Sequence, residues 1–171
     1  MTRSHPVAPH LSRVILNDGI PADLPPMVEA DRNQAVLDLE RGNYFAPREA
    51  GPGPFVLALS VHEGRLIFDI RDEAMQPVTL IGLSLGPFRR IIKDYVLLLD
   101  SYAAAIQDGR EARIQAIDMG RRGLHNEAAA LISARLATKV ELDLDTARRL
   151  FTLIAVLHQR VSGPSAQSHT A

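Results

Sequence analysis

Apolar and polar residues alternate on both sides of Glu63-Gly64, and this pattern constrains the fold more than any other feature of the chain. Phe55, Leu57, Leu59 and Val61 precede the dipeptide; Leu66, Phe68 and Ile70 follow it. A period of two specifies strand, and a short turn ending in glycine specifies a hairpin. A two-residue turn sets Val61 opposite Leu66, Leu59 opposite Phe68 and Leu57 opposite Ile70, so one face of the hairpin is wholly apolar. A slip of one residue would turn that face to solvent, so burial and register require each other. Val78 to Leu85 then predicts a third antiparallel strand, after a turn around Met75 to Pro77.

Helical periodicity takes over from Pro87, a residue suited to the first turn of a helix. Phe88, Ile91, Ile92, Tyr95, Leu98, Leu99, Tyr102 and Ile106 share a broad apolar face, and Gly109 ends it. Ile114, Ile117, Arg121, Leu124, Ala128, Leu131 and Arg135 continue the period across Gly120 and Gly123, as one kinked helix or as two. Val140 to Leu142 reads as a short strand, and Asp143 or Asp145 caps a last helix reaching about Val161. Leu150, Phe151, Leu153, Ile154, Val156 and Leu157 make that helix apolar on most sides, so it belongs in the core. Upstream, Leu11 to Leu16 suggests a strand, Asn17 to Pro26 is turn-rich, and Val28 to Arg41 forms a surface helix stopped by Gly42-Asn43. Tyr44 to Pro54, with Pro47 and Gly51-Pro52-Gly53-Pro54, reads as loop. The expected fold class is therefore α+β: a small antiparallel sheet, built of a hairpin plus an added strand, covered by C-terminal helices. Residues 1–161 form one domain, and the polar stretch 162–171 is expected to be a disordered tail.

Composition narrows the chemistry. The chain has no cysteine, which excludes disulfides, thiolate metal sites and a cysteine nucleophile and fits a reducing, cytoplasmic setting. The first 19 residues lack the apolar core of a signal peptide. The longest apolar stretch, Leu150 to Leu157, falls far short of the roughly 20 residues that span a bilayer, so no membrane partner is expected. A net charge of −1 gives no global field for nucleic acid, and any anion site must be local. Walker loop, dinucleotide fingerprint, nucleophile elbow and His-Glu-x-x-His are all absent, so no cofactor and no metal are expected.

Two groups of residues remain as candidates for a site. The first is the run Asp118 to Glu127, where Asp118, Arg122 and His125 fall at i, i+4 and i+7 of a helix and Arg121 reaches His125 at i+4. Arg121 sits in an apolar slot between Ile117 and Leu124, so its guanidinium needs an anion. That anion is either a bound carboxylate or phosphate, or a structural partner such as Asp118 or Glu127, and we favour the structural clamp. His125, Asn126 and Glu127 are consecutive, about 100° apart on a helix, and cannot converge as a catalytic trio. The second group comprises Arg89, Arg90 and Lys93 at one helix start and Arg148 and Arg149 at another, where cations oppose the helix dipole and invite an anion. Pairing of Arg90 with Asp94, and of Asp145 with Arg148 or Arg149, would satisfy them locally.

Phe68-Asp69-Ile70-Arg71, Pro87-Phe88-Arg89-Arg90, Lys93-Asp94-Tyr95, Ile117 to Glu127 and Asp145 to Leu153, in that order and spacing, resemble the bacterial uncharacterised protein family 0262. The resemblance runs from about Leu11 to Arg160 and brings no catalytic or binding role with it. From the residues, the first expectation is a non-catalytic binding or regulatory module whose arginines hold a phosphorylated small molecule, an RNA segment or an acidic protein partner. An alternative is a small hydrolase or transferase with His125 as acid or base, oriented by Asp118, Glu127 or Asp69. A third is a homo-oligomer formed through an exposed apolar helix face.

Overall fold

A computed structural model describes residues 7–17 and 24–162. The hairpin forms in the expected register: β3 (Phe55–His62) pairs antiparallel with β4 (Arg65–Asp72), joining Leu57 to Ile70, Leu59 to Phe68 and Val61 to Leu66. Glu63 and Gly64 have φ of 51° and 73°. Both central positions are thus left-handed, the geometry that matches strand twist across a two-residue turn. β5 (Pro77–Ser84) adds antiparallel to β4, as expected.

The fold is α+β, but the sheet is mixed rather than wholly antiparallel. β1 (Leu11–Leu16) lies parallel to β3, giving the order β1-β3-β4-β5. The chain between them is long enough for a crossover, which parallel pairing requires, and it contains α1 (Pro26–Arg41). Asn43, just past that helix, holds the edge of β1: its side-chain oxygen accepts from Leu11 N at 2.7 Å, and its amide donates to the Leu11 and Leu39 carbonyls. The segment expected to be loop also holds a short strand. β2 (Phe45–Pro47) pairs antiparallel with β6 (Val140–Leu142) in a separate two-stranded sheet.

A single 3₁₀ turn (Gly86–Phe88) leads into α2 (Arg89–Asp108), which ends on Gly109 at φ 66°. α3 (Glu111–Leu136) is one continuous helix through Gly120 and Gly123. A Cβ at Gly120 would meet Leu98 at 3.5 Å, an ordinary van der Waals contact, so the spacing of α2 and α3 does not depend on glycine there. α4 (Leu144–Ser162) is capped by Asp143, whose carboxylate accepts from Thr146 N at 2.8 Å. Leu150 through Leu157 are buried almost without exception, and α4 packs against α1, α3 and β3. That central helix, with α1 and α3 on its flanks, carries the site. The expected polar tail lies largely outside the described residues, and among those described no helix is long and apolar enough to cross a membrane.

Candidate functional site

The stripe Asp31, Gln34, Asp38 on α1 faces Arg121, Arg122 and His125 of α3 and Arg148, Arg149 and Thr152 of α4 across a cleft of about 300 Å³. Two of the three Arg-Arg pairs seen in the sequence therefore meet in one place. They arrive on different helices, and helical spacing explains how: Arg121 and His125 are one turn apart, as are Arg148 and Thr152.

The arginines differ in how firmly they are held. Arg121 donates to Asp31 at 3.2 Å, lies 3.7 Å from Asp118 and stacks 5.9 Å above the Tyr102 ring. This is the clamp expected for it, though its main partner comes from α1 and Glu127 takes no part. Arg149 Nε lies 3.5 Å from Asp38 Oδ2, close enough for attraction, but this buried N–H has no aligned acceptor among the described residues. Gln34 donates to Asp38 at 3.0 Å and fixes that carboxylate. Arg148 reaches Asp145 at only 3.9 Å, and the Asp145 side chain is 70% exposed. Such a pair is worth about 0–1 kcal/mol and yields readily to a competing anion. Arg122 is exposed and makes no ion pair with a described residue.

Beneath the cleft the polar groups are closely matched. Tyr95 donates its hydroxyl to Asp31, and burial, reinforced by the Asp31 charge, holds that hydroxyl protonated far above the usual phenol range. His125 donates from Nδ1 to the Arg121 carbonyl at 2.9 Å, which leaves Nε2 to accept from the Thr152 hydroxyl at 3.2 Å. Its ring stands edge-on to Tyr95 and Phe151. Burial lowers the His125 pKa; the Arg121 carbonyl and Asp31 oppose this, and the Arg121 and Arg148 charges add to it. His158 is lowered too, by burial and by Arg89. Both histidines hold fewer protons folded than unfolded once the pH drops to about 6.5, so their contribution to stability is complete above that value and is lost as pH falls below it. The urea midpoint should therefore fall between pH 7 and pH 5, and His125→Asn should shrink that fall; an unchanged pH profile in the variant would contradict this burial of His125.

The remaining sequence candidates lie elsewhere. Glu127 pairs with Arg90, which also reaches Asp94 at 3.3 Å, and Arg89 lies beside a different groove. Asn126 is exposed and does not line the cleft. Asp69 pairs with Arg71 on the sheet at 3.1 Å. Sequence reasoning missed Asp31, Gln34, Asp38, Tyr95 and Thr152. The i, i+3, i+7 spacing of the three α1 residues was a usable signal, but on a helix read only as a surface element it carried no chemistry. Among the described residues no group of three or more His, Asp or Glu side chains could hold a metal ion.

The sequence profile of the uncharacterised protein family UPF0262 matches residues 8–160, the whole span that builds this cleft. The chain belongs to UPF0262. A UPF0262 protein of Acidiphilium cryptum is 59% identical over 150 residues, covering 88% of this chain and 93% of that relative. One from Granulibacter bethesdensis is 56% identical over 159 residues, covering 88% and 90%, and one from Rhodospirillum rubrum is 54% identical over 135 residues, covering 79% and 83%. No solved structure matches the chain. Because UPF0262 names a family and not an activity, the functional reading rests on the cleft itself.

Proposed function

We propose that this UPF0262 protein is a non-catalytic binding or regulatory protein whose cleft takes a small molecule bearing a phosphate or carboxylate group. The observation that carries the reading is the difference among the four arginines. Arg121 is hydrogen-bonded to Asp31 and Arg149 lies near Asp38 without an aligned bond, while Arg122 is unpaired among the described residues and Arg148 is only loosely paired in the same cleft. Two available guanidiniums on adjacent helices suit one anionic group, which each can bind through charge-assisted hydrogen bonds. The buried Arg149 N–H offers a further donor, one that costs roughly 1–3 kcal/mol while unsatisfied.

The volume favours a small ligand over RNA or an acidic protein, since about 300 Å³ lies at the lower end of small-molecule sites. The carboxylates that share the cleft favour a ligand with hydroxyl or amino groups beside its anion. His125 is better suited to positioning than to proton transfer: both ring nitrogens are hydrogen-bonded, and neither to a carboxylate.

Calorimetric titration with inorganic phosphate, sugar phosphates and hydroxy acids tests the proposal. One class should bind saturably, with affinity falling tenfold or more in Arg122→Ala and in Arg148→Ala and unchanged in Arg13→Ala, a change on the exposed part of β1. Anion binding that survives both cleft variants, binding to RNA or an acidic protein alone, or no binding at all, would overturn it.

A further inference from the structure

A second groove, of about 630 Å³ and mostly apolar, runs between α2 and the end of α4. Its floor is Leu85, Ile92 and Val96, and Leu97 continues it outward although 53% exposed. On α2, Arg89, Lys93 and Leu97 follow at successive turns, so two cations and an apolar side chain share one wall. Neither cation makes an ion pair with a described residue, and both occupy the first two turns of α2, where the helix dipole disfavours positive charge. Arg89 is located further by Gly64: its guanidinium lies 4.0 Å from where a Cβ on that turn glycine would sit. The charged end of the groove is thus at the hairpin turn, and the apolar end is farther along α2. His158 and Gln159 form the facing wall, and the Gln159 side-chain nitrogen is buried without a hydrogen-bond partner among the described residues.

Apolar floor, exposed leucine and two uncompensated cations at one end are complementary to a molecule with a hydrocarbon chain and an anionic head. The chain's own C-terminal sequence is a poor occupant, because Ser162 to Ala171 carries nothing more apolar than alanine and proline. We propose that this groove binds a single-chain anionic amphiphile, a fatty carboxylate, with its head between Arg89 and Lys93 and its chain along Ile92, Val96 and Leu97. The site is separate from the α1–α3–α4 cleft and does not depend on the reading of that cleft.

Calorimetric titration of the full chain with decanoate, dodecanoate and tetradecanoate, each below its micellar concentration, tests the proposal. One saturable site is expected, with affinity rising about two- to fourfold per added methylene. Affinity should fall at least tenfold in the Arg89→Gln/Lys93→Gln double variant and in Leu97→Glu, all changes at exposed positions, and should not change in Arg122→Ala. A neutral amphiphile of equal chain length should bind at least tenfold more weakly. Equal binding of charged and neutral amphiphiles, binding unaffected by these variants, or no binding would overturn the proposal. Association only with anionic phospholipid vesicles, or only with an acidic helical peptide, would also overturn it, by assigning the cations to a membrane or a protein.

Discussion

Replacing Phe151 by alanine is expected to lower the unfolding free energy by about 4 kcal/mol. Phe151 is completely buried on α4, which packs against α1, α3 and β3, and its ring meets Tyr95 and His125 edge-on. The substitution removes transfer free energy, leaves a cavity among groups fixed by their own hydrogen bonds, and loses aromatic contacts worth about 0.5–1.5 kcal/mol each. A domain of this size should melt on the order of 8–16 °C lower. His125 lines the cleft and Tyr95 holds Asp31 from beneath it, so affinity for the proposed anion should fall as well. Chemical denaturation checks the stability term directly, and a loss under about 1 kcal/mol would mean that α4 is not the centre of the core.

Arg121→Ala should cost about 2 kcal/mol, less than the roughly 3–5 kcal/mol of a fully buried pair because the two side chains retain 32% and 23% exposure. The cost arises from what is left behind. Asp31 would keep its charge in a half-buried place with Tyr95 as its hydrogen-bond donor, and α3 would lose its tie to α1. Arg121→Lys should lie between wild type and Arg121→Ala, because lysine keeps the charge but not the planar fork that reaches Asp31 while stacking on Tyr102. A double-mutant cycle with Asp31→Ala in urea isolates the pair. Coupling near zero would contradict the assignment of Arg121 to structure and free it for the ligand.

These effects separate what was legible in the sequence from what was not. The β3–β4 register could be read residue by residue because local alternation and one turn determine it. The parallel placement of β1 could not, since its partner lies beyond a helix and nothing in Leu11 to Leu16 encodes direction. The β2–β6 pair escaped because three-residue strands are too short to show a period, and Pro47 at its end argued for loop. In the site, the need of Arg121 for an anion was visible from its apolar slot, whereas the identity of that anion was tertiary information. Consecutive arginines also proved misleading as units. Arg121 and Arg122 point to different fates, as do Arg148 and Arg149, because neighbours on a helix diverge by about 100°.

The proposed cleft requires that Arg122 and Arg148 take the anion while Arg121 stays bound to Asp31. Side-chain Nε–Hε NMR resonances of all four, followed through a titration with the best-binding anion from the calorimetric series, test it most directly. Saturable movement of Arg122 and Arg148 with one shared dissociation constant is expected, with an Arg149 signal that sharpens as its N–H gains an acceptor and little change at Arg121. Uniform small shifts of every exposed arginine, or a response led by Arg121 as its bond to Asp31 breaks, would contradict it.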